Sequence, residues 1–157
     1  MPQQTDIRRV DIQQIEIAQQ IYPLQQAAYL LESRLIDYPN LPPLHESIET
    51  LRQSQELFLA YWAEGQVAGV LSYIRHQDRL EICRLVISPH HFRQGIAGRL
   101  LQAVETVEPE IKRLTVSTAL KNQPALALYQ KYGYRQTSQT ILPDGLVLVE
   151  LQKEITF

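Results

Sequence analysis

The sequence predicts an α/β fold, a mixed sheet of about seven strands layered with helices. Three observations predict it. Seven runs are rich in β-branched and aromatic residues and are bounded by turn signals. Other stretches carry apolar residues at helical spacing. The two kinds of segment follow one another as strand, helices, three strands, helix, strand, helix and two strands, an order that layers helices against one sheet.

Taken in turn, "DIRRV" reads as a short first strand. From Ile12 to Leu35 apolar residues recur at helical spacing through Ile15, Ala18, Leu24, Ala27, Ala28 and Leu31, and Pro23 is expected to kink or split that helix. "DYPNLPPL" is a proline-rich loop and "HESIETLRQS" a second short helix. "ELFLAYWAEGQVAGVLSYIRH" reads as two strands hinged near Glu64-Gly65, and "RLEICRLVIS" as a further strand stopped by Ser88-Pro89. "GIAGRLLQAVETV" returns to helical period, "IKRLTVSTAL" is a strand, and "NQPALALYQKY" is a helix with Pro124 in its first turn and Gly133 at its end. "YRQTSQTILPDGLVLVEL" closes the chain with two strands around Asp144-Gly145.

Composition bounds the function. The 157 residues fit one domain with a real core, and 45% hydrophobic with 20% charged residues is ordinary for a soluble globular protein. A net charge of -2 gives no sign of a nucleic-acid-binding surface. The single cysteine, Cys83, rules out an internal disulfide framework and leans toward a reducing compartment. No apolar run has the length of a membrane span, and "MPQQTDIRRVDIQQ" lacks the apolar core of a secretory signal, so the cytoplasm is the expected location. The histidines at 45, 76, 90 and 91 show no metal-binding spacing, and no metal is expected.

One segment asks for a ligand. In "HFRQGIAGRLL" Gly95 and Gly98 stand at the mouth of a helix, although glycine in a helical turn costs about 1 kcal/mol against alanine. A helix start leaves main-chain N–H groups unpaired and partly positive, so bare backbone there lets a phosphate approach. Alone, the segment reads equally as a glycine turn without a ligand. It is neither a Walker loop nor a dinucleotide fingerprint, since no Gly-Lys-Ser/Thr and no GxGxxG occurs.

"LEICRLVISPHHFRQGIAGRLL" resembles the acetyl-CoA-binding motif of the GNAT N-acetyltransferases, a strand followed by a [Gln/Arg]-x-x-Gly-x-[Gly/Ala] loop and a helix. Gly95 and Ala97 take the fourth and sixth places, and Phe92 stands where the family usually has Gln or Arg. A second motif, "STALKNQPALALYQKYGYRQ", resembles the family's later segment through Asn122, Ala125, Leu128-Tyr129 and Tyr132-Gly133-Tyr134. The resemblance covers residues 56–151. It implies one N-acetyltransferase domain over 1–157, with a variable, substrate-side part in 1–55 and an acetyl-CoA-binding core in 56–157. It also implies a mostly antiparallel sheet with helices on both faces, and a possible homodimer.

The implied reaction moves an acetyl group from acetyl-CoA to the primary amine of an acceptor, without a metal, by direct attack in a ternary complex. The implied cofactor residues are Leu85, Val86 and Ile87, whose strand splays from "LTVST" and offers free main chain. Arg93, Gln94, Gly95, Ile96, Ala97 and Gly98 would hold the pyrophosphate, and Asn122 and Tyr129 would meet the coenzyme arm. Tyr129 is the implied general acid for the leaving thiolate, although its spacing with Ala125, Leu128 and Tyr132 also fits a core aromatic. Asn122 also fits a helix cap. Glu81 is the implied base, through a water. Period-two geometry puts it on one face with Cys83, Leu85 and Ile87, where desolvation raises a carboxyl pKa; a solvated glutamate paired with Arg79 or Arg84 fits as well. The fold holding acetyl-CoA without turnover is the alternative function, and a nucleotide or phosphate binder a third. Glu32, Asp37, Glu46 and Glu49 in the N-terminal part would suit a cationic acceptor.

Overall fold

A computed structural model describes residues 6–156; the first five residues of the stretch read above for a secretory signal lie outside it. The chain runs β1 (Ile7–Val10), α1 (Ile15–Leu35), α2 (Ile48–Arg52), β2 (Leu57–Ala63), β3 (Gln66–His76), β4 (Arg79–Ile87), α3 (Ile96–Val104), β5 (Arg113–Ala119), α4 (Gln123–Lys131), β6 (Arg135–Ile141) and β7 (Val147–Glu154). The strands form one seven-stranded sheet in the order β1-β2-β3-β4-β5-β7-β6. Only the β4–β5 pair is parallel. The expected α/β fold and its strand count hold.

The period-two pattern of the strands sorts their side chains onto two cores. Phe58, Ala60, Val70 and Val86 pack with Ala18, Ile21 and Leu24 of α1 and Leu51 of α2. Leu59, Tyr61, Leu71 and Leu80 pack with Leu100 and Leu101 of α3 and Leu126 of α4. Both faces of the sheet are therefore covered by helices, which explains the near-continuous apolar runs in β2 and β3.

Local chemistry places the helix ends. The Ser47 hydroxyl accepts from the Thr50 N–H at 3.1 Å and caps α2. Asn122 Oδ1 accepts from the Ala125 N–H at 3.2 Å and caps α4. Two expectations on α1 are corrected. The helix begins at Ile15 rather than Ile12, which is buried in the turn ahead of it, and Pro23 does not split it. Twelve residues of the helix follow Pro23, within buried packing that includes Leu24 and Tyr29, and tertiary contacts outweigh the single missing hydrogen bond.

Gly98 has a packing reason of its own. It is buried in α3, and a Cβ there would overlap the hydroxyl and Cζ of Tyr132 just beyond α4. The absent side chain makes room for a tyrosine, which is sufficient reason for glycine there without a ligand. Gly98→Ala should therefore destabilise the wild-type protein, because overpacking by about 1–3 kcal/mol outweighs the gain in helix propensity. In a Tyr132→Ala background the same substitution should stabilise by up to about 1 kcal/mol. Urea unfolding of the four proteins measures this coupling, and equal effects in both backgrounds would contradict it.

Candidate active site

The sheet opens in one place. Pairing between β4 and β5 covers only Arg79–Ile82 against Arg113–Val116. Beyond it, β4 continues with β3 as far as Ile87, and β5 continues with β7 as far as Ala119. The two strands part, and the main chain of Cys83–Ile87 on the β5 side faces no strand. A cavity of about 210 Å³ fills the opening. Its walls come from Ile82–Leu85 of β4, Val116–Ala119 of β5, Asn122, Ala125 and Tyr129 of α4, and Tyr29, Glu32 and Ile36 at the end of α1.

The opening coincides with a β-bulge. Tyr73 pairs with Ile82 and Ser72 with Arg84, so Cys83 is the extra residue. The bulge reverses the alternation of β4. Leu80 and Ile82 before it, and Leu85 and Ile87 after it, all pack toward α3 and α4, whereas Val86 packs toward α1. The expected grouping of Glu81 with Cys83, Leu85 and Ile87 is thereby corrected: Glu81 lies across the sheet from Leu85 and Ile87. Its carboxylate, 46% exposed, meets His76 Nε2 at 2.9 Å and does not line the cavity. The expected partner was Arg79 or Arg84, but Arg79 donates to the Thr115 hydroxyl and Arg84 lies in a different network.

Of the other expected residues, Leu85, Asn122 and Tyr129 line the opening and the rest lie outside its lining. Leu85 forms part of its wall, Val86 is buried behind it, and Ile87 ends the free stretch. Arg93, Gln94, Gly95, Ile96, Ala97 and Gly98 form the turn into α3, which is reached from β4 through a short helical turn at Pro89–His91. Gly95 is the N-cap with φ +76°, and a Cβ there would meet open space. Arg93 also has a positive φ, 66°. No side chain caps α3, so its first N–H groups keep their hydrogen-bonding capacity. The Ile96 side chain anchors the turn in the core, and Arg99 donates to the Tyr61 hydroxyl at 2.7 Å. Asn122, buried as the cap of α4, is also part of the cavity wall.

Tyr129 is 5% exposed and lines the cavity, with its ring edge-on to Tyr134 at 5.6 Å between centroids. Burial, then the nearby charge of Glu32, pushes its phenol above the ordinary tyrosine range. The thiol of Cys83 is pushed up to about 12 by partial burial and then by the charges of Glu56 and Glu81. It is a neutral thiol at physiological pH and a poor nucleophile.

Sequence reasoning missed the Arg84 network. Arg84 donates to Glu46 at 2.8 Å, Glu56 at 2.8 Å and the Gln25 side-chain carbonyl at 2.9 Å. The network joins β4, next to the bulge, to α1, the segment before α2 and the start of β2. Burial alone would lower the Arg84 pKa, but hydrogen bonds to Glu46 and Glu56 raise it beyond its ordinary value. Burial likewise pushes Glu46 up, yet hydrogen bonds from Arg84 and Gln25, with the Arg84 charge, hold it below its ordinary 4.5. The missed signal was a charged residue in the middle of the otherwise apolar stretch 82–87, with no partner nearby in sequence. Among the described residues no group of three His, Cys, Asp or Glu side chains could hold a metal, and no helix is long and apolar enough to cross a membrane.

A seven-stranded sheet whose central parallel pair parts beside an uncapped helix start is what the resemblance to the GNAT N-acetyltransferases implies. The chain belongs to the GNAT acetyltransferase domain family, whose model matches residues 35–155. The match begins at the end of α1, upstream of the stretch over which the motifs alone extend. The Bacillus subtilis protein YqkA is 36% identical over 132 residues, which are 84% of this chain and 38% of that protein. This chain thus spans well under half the length of that curated relative. Among solved structures, the paia N-acetyltransferase of Thermoplasma acidophilum, in complex with coenzyme A, has the same fold with a TM-score of 0.77. It is 17% identical, over 95% of this chain and 98% of that one. The ribosomal-protein-S18-alanine N-acetyltransferase of Escherichia coli matches with a TM-score of 0.74 and 17% identity, over 96% and 94% of the two chains.

Arg84→Gln should destabilise the protein by roughly 3 kcal/mol, because it leaves Glu46 and Glu56 part-buried without their cation. The pH dependence should also change sign. The depressed Glu46 pKa gives the wild type stability that is present above 4.5 and lost as pH falls through the folded-state value. Without Arg84, burial raises that pKa instead, and acidification should recover part of the loss. Chemical unfolding from neutral to acid pH checks this, and parallel curves for the two proteins would contradict it.

Proposed function

We propose that the chain transfers an acetyl group from acetyl-CoA to the amine of an acceptor, by direct attack within a ternary complex. The observation that carries this reading is the parting of β4 and β5 beside the open turn into α3. Unpaired main chain that lines an opening needs hydrogen-bond partners, and the amides of a pantetheine arm have the spacing of an extended strand. In this reading the free groups of Leu85, Val86 and Ile87 bind that arm and polarise the thioester carbonyl. The main chain of Arg93–Gly98 binds the pyrophosphate, where the positive φ at Gly95 and the open space beside it admit phosphate oxygens. Asn122 presents the front of α4 to the arm.

Tyr129 supplies the proton for the departing sulfur. Its raised pKa keeps the hydroxyl protonated, so it donates a hydrogen bond throughout. A phenol is ordinarily a weaker acid than a thiol, about 10 against about 8.5. In a buried site the developing thiolate loses solvation too, which makes it more basic and narrows that gap. The N-acetyltransferase names of the two similar structures support an amine as acceptor.

The reading is tested by release of free CoA from acetyl-CoA across a panel of amines, with Tyr129→Phe alongside wild type. Phenylalanine keeps the ring and its packing against Tyr134, so CoA affinity and stability should hold. Turnover should fall by about 10²-fold. Release in the wild type that no amine accelerates would support the same fold holding acetyl-CoA without catalysis. Full turnover in Tyr129→Phe would return the residue to a packing role.

A further inference from the structure

The charges lining the cavity do not balance. Arg84, the single basic residue of its wall, is held by Glu46 and Glu56. Glu32, on the last turn of α1, also lines the wall and forms no ion pair among the described residues. The groups that face it are Tyr29 on its own helix, Cys83 and Arg84 on β4, and Tyr129 on α4; Glu46 and Glu56 stand behind Arg84. The wall from β5 and the last hairpin is Val116, Ser117, Thr118, Ala119, Leu146 and Leu148, without charge. A carboxylate is thus aimed into a small cavity, near the proposed acid Tyr129, with every available cation already engaged.

We propose that Glu32 receives the ammonium group of the acceptor and takes the proton its nitrogen must lose, so that the acceptors are cationic alkylamines. The proposal rests on the acetyl-transfer reading above. Burial raises the Glu32 pKa, which brings the carboxylate closer to an alkylammonium in basicity than an exposed glutamate is. The step balances. The ammonium gives one proton to the Glu32 carboxylate, and the freed lone pair forms the C–N bond to the acetyl carbon. The C–S bond breaks and its electron pair stays on sulfur, which takes a proton from the Tyr129 hydroxyl. Tyr129 regains a proton from the nitrogen, and Glu32 releases its own to solvent. The sum is amide, thiol and one proton from ammonium and thioester. Glu32 sits in the cavity itself, whereas Glu81 lies outside it with His76.

Two measurements on wild type, Glu32→Gln, Glu32→Asp and Glu81→Gln test this. The first is acetyl transfer to n-butylamine and 1,4-diaminobutane, which are cations at neutral pH, and to aniline, which is not. The second is calorimetric binding of n-butylamine to protein saturated with CoA, where no turnover occurs. Glu32→Gln should lower kcat/KM for the alkylamines by about 10²-fold or more and move the acid limb of its pH profile. It should weaken n-butylamine binding by roughly tenfold or more. Aniline acetylation and CoA affinity should hardly change, and Glu32→Asp should recover part of the loss. Equal losses for aniline and alkylamines, or full alkylamine turnover in Glu32→Gln, would overturn the proposal and leave the acetyl-transfer reading intact. So would a loss confined to Glu81→Gln, which would return the proton to that residue. Wild type that acetylates none of the three amines would overturn both.

Discussion

The structure depends on the separation of two strands that begin as neighbours. β4 and β5 are the only parallel pair among the described residues, and they stay paired for four residues each. Past that point each keeps its other neighbour, so neither loses its place in the fold while one edge of each is exposed. The bulge at Cys83 coincides with the parting, as bulges add local twist and end regular pairing. Main chain left without a strand partner must be hydrated or bound by something else. The fold thereby holds a strand edge in reserve, with the uncapped start of α3 at its far end and the start of α4 opposite.

The electrostatics of the opening follow from how its wall is held. Arg84 stands next to the bulged residue and anchors β4 to both the α1 side and the start of β2 through two carboxylates and an amide. Those bonds neutralise the guanidinium, so it adds rigidity rather than free positive charge. What remains in the cavity is a carboxylate, Glu32, with the Tyr129 hydroxyl, which burial keeps protonated, and uncharged side chains. An environment of that kind favours a cation that can give up a proton over an anion or a neutral nucleophile.

Much of this was legible in the residues because it is local. Strand and helix periods sort side chains by face, and the seven strands follow from them. The helix starts announce themselves through Ser47, Asn122 and the glycine-bearing turn at Gly95, whose positive φ the glycine permits. Four features were not legible. The bulge at Cys83 has no sequence mark, and one extra residue inverted the assignment of Glu81. Gly98 looked like Gly95, yet one opens a side-chain packing site and the other opens onto solvent, and a sequence does not distinguish them. The partners of Arg84 lie 28, 38 and 59 residues away, so no window along the chain contains them together. Glu32 was one acid among several on helices until the fold placed it opposite Tyr129.

The central claim is that the parted strand edge and the turn into α3 bind acetyl-CoA together. Amide hydrogen exchange with and without CoA tests it most directly, residue by residue. CoA should slow exchange at the amides of Cys83–Ile87 that face away from β3 and at Gly95–Gly98. Exchange at the exposed strand β6 should stay unchanged. Protection confined to other parts of the chain, with both of these segments unaffected, would contradict it.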